Sequence, residues 1–300
     1  MRLKLLLGAC FVLSLLGAVV LEPGRPWANA GVNIRDVSGK TDRDQDSRRL
    51  RLLSWNIGNG DLESETRAHT EDLPAVAKVI VDSDADAVAL QELTGDDQLR
   101  LLLAHLQNHY RGYVCSRGDG DRVDAVLVRD DSGGSGRGDR GDHSDRSLRF
   151  NDVPAGDRFA AAATFPLHKD LPEIVFVSAH ADAFSASRRR TFAEDVVDWV
   201  RSRTKSEIAF VAGDFNFEVS TRNKTNLFTD DAKHDSESYA YLLKYFRDLG
   251  RDAGETSIND RRIDYVFGPP KTVSLRRAEV LRGTAVGRMD HWPLLVEVGY

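Results

Sequence analysis

The sequence predicts an α/β protein of two packed β-sheets flanked by helices. Three observations carry this expectation. Short apolar runs of strand length recur along the chain, helical patterns fall between some of them, and several successive runs have no helix between them. These patterns extend over nearly all of the chain beyond residue 49, so its 300 residues are expected to hold one large domain.

The N-terminus stands outside that domain. Arg2 and Lys4 precede an uncharged, mostly apolar run over 5–21. Glu22-Pro23-Gly24-Arg25-Pro26 then breaks any helix, and Ala28-Asn29-Ala30 follows. A basic start, an apolar middle and an Ala-x-Ala end make a secretory signal peptide, with cleavage expected after Ala30. The alternative is retention of this segment as a membrane anchor. The protein is therefore expected to be exported, periplasmic or extracellular, with residues 31–49 a polar, flexible lead-in and 50–300 the catalytic domain.

Removing 1–30 takes away three basic residues and one acidic residue, so the formal net charge moves from -6 to -8. Such a balance does not suit a protein that coats nucleic acid by charge alone. It leaves a nuclease open, because a metal ion can supply the local positive field. Of the two cysteines, Cys10 departs with the signal, leaving Cys115 without an intramolecular partner. An exported chain with no disulfide framework relies on its core. Cys115 follows Tyr110-Arg111-Gly112-Tyr113-Val114 and is expected to be a buried strand residue, since no neighbouring motif would activate it.

The first strand is expected over 50–57, ending at Gly58-Asn59-Gly60. Asp72 is expected to cap a helix with Pro74 in its first turn and Val76, Val79 and Ile80 on one face. The apolar run 86–91 reads as a buried strand, and Leu99, Leu102, Leu103 and Leu106 as the stripe of the next helix. Another strand covers 123–128. Residues 130–147 are almost wholly Gly, Ser, Asp and Arg and read as a surface loop. Arg-Gly-Asp occurs there at 137–139 and 140–142, a tripeptide that such a composition generates easily. Strands are expected over 158–165 and 173–179, a helix over 186–203, a buried strand over 208–212, a polar surface loop over 218–235 and a helix over 239–246. Three strands near 263–267, 272–281 and 294–298 close the chain.

One set of polar residues shares a feature: each abuts an apolar strand. Asn56 ends the first strand and Glu92 the second. His180 ends the run 174–179, and Asp214 and Asn216 follow 208–213. Asp264 opens the run to Phe267, and Asp290-His291 precedes the last strand. Taken singly, these are ordinary turn, cap or hydrogen-bonded residues. Together they make a constellation, because buried strands aim their terminal side chains at a common rim.

That constellation suits hydrolysis of a phosphoester, which needs an activated water and neutralisation of phosphoryl charge. Glu92, helped by Asp290, can ligate a hard cation such as Mg2+, with Mn2+ an alternative. Zinc is disfavoured, with no His-Glu-x-x-His and too few cysteines. Asp214, held by Asn216, can orient and deprotonate water. His291 can pair with Asp264 and, as a cation, offset charge at phosphorus. His180 would be a second donor on the other side. Arg188 and Arg262 are candidate phosphate contacts.

Trp55-Asn56-Ile57-Gly58, Gln91-Glu92, Ser178-Ala179-His180-Ala181-Asp182, Gly213-Asp214-Phe215-Asn216, Arg262-Ile263-Asp264-Tyr265-Val266 and Asp290-His291-Trp292-Pro293-Leu294 resemble, in order, the successive motifs of the endonuclease/exonuclease/phosphatase superfamily. The resemblance covers roughly 50–299. It implies a four-layer α/β sandwich, with two central, mainly antiparallel sheets between outer helices. It also implies a divalent-metal hydrolase in which Glu92 binds metal, Asp214 and Asn216 position water, Asp264 orients His291, and Asn56 and Asp290, on the metal side, and His180 complete the site. Arg188-Arg189-Arg190 also resembles the family, which often carries Arg there. Met289, in place of a common Ser, Ala181, in place of a common Leu, and the loop 130–147 depart from the pattern without removing a catalytic group.

Within that superfamily the same site serves nucleases, sphingomyelinases and inositol-phosphate phosphatases. Export argues against DNA repair, and no aromatic hairpin for membrane insertion is evident. A monomeric phosphodiesterase with nuclease-like activity is the expectation, with nucleic acid as substrate. A phospholipid or inositol-phosphate hydrolase is the alternative, and a non-catalytic binding protein using the Arg-Gly-Asp loop the remaining one.

Overall fold

A computed structural model describes residues 49–58, 67–118, 122–130, 148–166, 172–203, 208–219, 232–258, 260–284, 286–287 and 289–300. The expected signal peptide lies outside these residues, as do the lead-in except Arg49 and the loop 130–147 except Asp130. Among them the chain forms β1 (Arg49–Asn56), α1 (Arg67–Ser83), β2 (Ala87–Leu93), α2 (Asp96–His105), β3 (Tyr110–Val114), β4 (Val123–Arg129), β5 (Arg149–Ala155) and β6 (Arg158–Pro166). There follow β7 (Glu173–His180), α3 (Ala186–Arg203), β8 (Ala209–Asp214), α4 (Ala232–Leu242), β9 (Arg247–Asp248), β10 (Asp264–Gly268), β11 (Ser274–Val280) and β12 (Leu294–Gly299).

The strands make two six-stranded sheets, ordered β11-β12-β1-β2-β4-β3 and β5-β6-β7-β8-β10-β9. Each has one parallel pair near its centre, β1 with β2 and β7 with β8, and is otherwise antiparallel. The expected architecture is therefore the observed one. Register also decides where side chains meet. Asn56 lies opposite Gln91 on the parallel pair, and His180 opposite Asp214. Asp264 lies opposite Asp214 because β10 runs against β8. Ser54 opposite Leu294 brings the approach to β12, and with it Asp290 and His291, to the C-terminal end of β1.

Three apolar clusters account for the layers. Leu50, Leu52, Ala87, Ala89 and Val126 from the first sheet pack with Phe176, Phe210, Ala212 and Val266 from the second. Leu53, Trp55, Val88 and Leu90 face α1 and α2 on the outside. Val177, Val211, Tyr265 and Phe267 face α3 and α4 on the opposite outer side. Side chains alternate along a strand. On β1, β2, β7, β8 and β10, the inward stripe therefore continues to Asn56, Gln91, His180, Asp214 and Asp264 at the strand ends. Just inside them, Gln91 Nε2 donates to Ser178 Oγ at 2.9 Å across the sheets, and Ser178 Oγ donates to the Leu90 carbonyl at 3.0 Å.

Three local expectations need correction. The helix expected to start at Asp72 begins at Arg67, so Pro74 lies in its interior, where it removes one backbone donor. The helix expected over 239–246 is Ala232–Leu242, and the polar run ending at Asp235 is helical at its end. It escaped the apolar pattern because a charge pair, not an apolar stripe, anchors it. Arg189 of α3 donates from Nε and Nη2 to Asp235 Oδ1 at 2.9 and 2.7 Å, and both residues are fully buried. The strand β5 was not expected at all. Its sequence, RFNDVPA, is polar because it pairs on one side only, with β6, where Pro154 is tolerated. Cys115 is buried as expected, though it lies one residue beyond β3 rather than in it, and burial pushes its thiol up to about 12.

Arg189 Nη1 also donates to the Asp182 carbonyl at 3.0 Å, so the same guanidinium ties the turn after His180 to two helices. Arg189→Ala would take from the buried Asp235 the guanidinium that donates to it twice. Denaturant unfolding followed by circular dichroism is expected to show a loss of about 3–5 kcal/mol, and Arg189→Met combined with Asp235→Leu a much smaller loss.

Candidate active site

Asp214 sits at the centre of the polar cluster. Its Oδ1 accepts from the Asn216 amide at 2.9 Å, and its Oδ2 accepts from Asn56 Nδ2 at 3.1 Å. The ring nitrogens Nε2 of His180 and of His291 both lie 3.7 Å from that same Oδ2. Gly213 makes this convergence possible. Its φ of 149° is glycine territory, and a Cβ there would stand 1.8 Å from the Ala179 carbonyl oxygen of the neighbouring strand. Asn216 takes a left-handed φ of 54°, which Asn tolerates, and its side chain donates to the Ala181 carbonyl at 3.1 Å.

Glu92 reaches the cluster by a different device. By strict alternation Gln91 faces the other sheet and Glu92 faces away. A register shift between Leu90 and Leu93, together with a φ of 62° at Glu92, turns its carboxylate back towards Asn56. Asn56 Nδ2 donates to Glu92 Oε1 at 3.1 Å, and Asn56 Oδ1 accepts from the Gly58 amide at 2.9 Å. His180 Nε2 lies 3.8 Å from Glu92 Oε1. Backbone strain of this kind costs on the order of 1–3 kcal/mol and accumulates at functional sites.

The two histidines are opposites. Burial pulls the His291 ring down, but the carboxylates of Asp264 and Asp214 overcome it and push the ring up to about 10. Its Nδ1 lies 2.8 Å from Asp264 Oδ2, and it holds a positive charge at neutral pH. Burial also pulls His180 down. Asp214 opposes that, while the charges of Arg158, His291 and Arg122 reinforce it, and the ring ends at about 4. His180 is thus a neutral donor or acceptor, and His291 a fixed cation. Trp55 Nε1 clamps the His291 carbonyl at 3.1 Å, and Thr256 Oγ1 accepts from the Asp264 amide at 3.0 Å.

Not every candidate joins this group. Asp290 stands at its edge, 4.0 Å from His291 Nε2 and partly exposed. Arg188 is exposed and lies 3.4 Å from Asp182. Asp182 in turn is 3.3 Å from Arg158, whose Nη1 donates to the His180 carbonyl at 3.3 Å, so Arg188 reaches the site at third hand. Arg262 is turned elsewhere: Nη2 donates to both Asp248 oxygens at 2.7 and 2.6 Å, and its guanidinium lies 4.3 Å from the Tyr265 ring centre. It braces the Phe215, Phe217 and Tyr265 aromatic cluster behind the site rather than facing it. Two residues were missed. Asp124 is buried, with Oδ1 4.0 Å from His180 Nδ1, and Arg122 is ion-paired with Glu92.

The donor set suits a hard divalent cation. The carboxylates Glu92, Asp124, Asp214, Asp264 and Asp290 outnumber the cations Arg122 and His291, and Asp264 Oδ1 is buried without a hydrogen-bond partner among the described residues. Asp214, Asp264 and His291 present ligand-type atoms within 4.8 Å of one another. Glu92 and Asp290, both partly exposed beside this trio, add further carboxylate oxygens of the kind a hard cation takes.

The chain matches the model of the Endonuclease/Exonuclease/phosphatase family over residues 53–287. No curated protein matches it. Among solved structures it is similar to an endonuclease/exonuclease/phosphatase family protein from Bacteroides thetaiotaomicron, with 17% identity and a TM-score of 0.64 over 84% of this chain and 98% of that one. It is similar to a mannosyl-6-phosphatase of the same species, with 18% identity and a TM-score of 0.63 over 84% and 100% of the two chains. It is also similar to the human Nocturnin catalytic domain with a bound sulfate anion, with 16% identity and a TM-score of 0.60 over 84% and 94%.

The space above Gly58 belongs to Glu92: a Cβ there would stand 2.0 Å from Glu92 Oε2 and 2.7 Å from Arg122 Nη1. Both neighbours are ends of flexible side chains, so they would move while the backbone stayed. Gly58→Ala is expected to keep its melting temperature within a few degrees of the parent, yet to weaken divalent-cation binding about tenfold in calorimetric titration, because Glu92 would be displaced from Asn56.

Proposed function

Since the chain belongs to the endonuclease/exonuclease/phosphatase family, whose members are metal-dependent phosphoester hydrolases, we propose that it is an exported, monomeric, Mg2+-dependent phosphodiesterase acting on nucleic acid. The observation that carries the catalytic part is the convergence on Asp214 Oδ2 of Asn56, neutral His180 and charged His291, with Glu92 beside them.

Each residue has a task in this reading. Glu92 and Asp290 would hold the cation, which when bound would supply charge neutralisation at the phosphoryl oxygens. Asp214, fixed by the Asn216 amide, orients a water and takes its proton. His291, kept charged by Asp264, offsets negative charge growing on phosphorus, and His180 donates a neutral hydrogen bond from the other side. Asn56 fixes the distance between the cation-binding and water-activating carboxylates, because one amide nitrogen donates to both. The N-terminal signal motif supports export, and Mn2+ would serve in place of Mg2+.

Protein spanning residues 31–300, assayed with Mg2+ against plasmid DNA, RNA, sphingomyelin and inositol phosphates, is expected to cleave nucleic acid. Cleavage confined to the lipid or the inositol phosphates would move the substrate to that class. On the substrate found, Asp214→Asn and His291→Ala are expected to lower turnover by roughly 10²–10⁴ with little rescue by metal. Glu92→Gln is expected to regain part of its rate as Mg2+ is raised. Equal rescue of Asp214→Asn and Glu92→Gln would overturn the division of roles.

A further inference from the structure

Arg122 has no part in the division of roles above, yet it lies against the residue assigned to the cation. The pairing of Leu93 with Val123 brings the start of β4 to the end of β2, and the Arg122 guanidinium lies on Glu92 Oε2. The other oxygen, Oε1, accepts from Asn56. Oε2 is therefore the side of this carboxylate turned to positive charge. Both side chains are partly exposed, 26% for Arg122 and 20% for Glu92, so they stand at the mouth of the cluster rather than beneath it. Burial lowers the basicity of Arg122 and the charge of Asp290 opposes that, while Arg122 in turn depresses His180. One guanidinium thus acts on Glu92, Asp290 and His180 together.

We propose that Arg122 is a phosphate-binding residue that Glu92 holds in reserve, released to the substrate's phosphoryl oxygens when a divalent cation takes Glu92. The inference rests on the cation assignment made above. A doubly charged ion and a guanidinium on the same carboxylate repel each other at close range. The planar guanidinium fork is matched to phosphate as well as to carboxylate, so the displaced group has a second partner of the right shape. The exchange makes cation and phosphate binding mutually reinforcing: a phosphate that draws Arg122 from Glu92 tightens the cation, and the cation by the same factor tightens the phosphate. It also keeps Glu92 neutralised before the cation arrives, in a cluster already rich in carboxylates.

The test is calorimetric titration of the full chain with Mn2+, with and without saturating inorganic phosphate, for the parent, Arg122→Met and Arg122→Lys. Arg122→Met is expected to bind Mn2+ about fivefold or more tightly than the parent in the absence of phosphate. The tightening by phosphate seen in the parent is expected to shrink in Arg122→Met and to persist in Arg122→Lys. Arg122→Gln removes the same charge and carries the comparison should the Met variant not fold. Equal or weaker Mn2+ binding by the uncharged variants, or an undiminished phosphate effect, would overturn the proposal while leaving the cation site intact. Absence of Mn2+ binding by the parent would remove the cation assignment and this inference with it.

Discussion

The buried pair of Asp264 and His291, 2.8 Å apart, is the contact on which the rest of the site depends. It joins the two sheets, since Asp264 opens β10 in one and His291 lies on the approach to β12 in the other. A charge taken out of water is stable only when paired and hydrogen-bonded, and losing one partner of such a pair costs about 3–5 kcal/mol. The surroundings meet that demand: Thr256 binds the Asp264 backbone, and Trp55 binds the His291 carbonyl. The fixed cation lies 3.7 Å from Asp214, and Asp214 in turn organises Asn56 and Asn216.

The architecture explains why polar groups gather here. The inward stripes of five strands are apolar through the body of the sandwich and polar only at one end, where the parallel pairs finish. The polar end is tied together by mutual hydrogen bonds, which keep donors and acceptors in place at low local dielectric. The result, among the described residues, is one layer in which the carboxylates outnumber the cations Arg122 and His291. A hard divalent ion fits such a layer, and Arg122 meets part of the same demand from the rim.

Much of this was legible in the sequence. Asn56, His180, Asp214 and Asp264 could be found because each ends or opens an apolar run, and alternation then sends them to a shared face. Glu92 was legible as the end of an apolar run, but it lies on the wrong parity to share that face, and the bulge that re-aims it leaves no clear sequence mark. Asp124 had a readable signal, a lone carboxylate in the apolar strand 123–128, two positions from the inward-facing Val126. Arg262 misled because it stands two residues before Asp264, while its partner, Asp248, is fourteen residues earlier on a two-residue strand that no pattern announces. Arg189 and Asp235 were hidden for a related reason, since a buried ion pair between two helices looks in sequence like two exposed charges.

The opposite charge states of the two histidines test this account most directly. Nitrogen-15 NMR of histidine-labelled protein, freed of metal and assigned with His180→Gln and His291→Gln, reads the protonation of each ring against pH. The account predicts that His291 carries both ring protons at pH 7 and loses one only near pH 10, while His180 stays neutral until the pH falls to about 4. Two rings titrating together near the ordinary value of about 6.5 would contradict it.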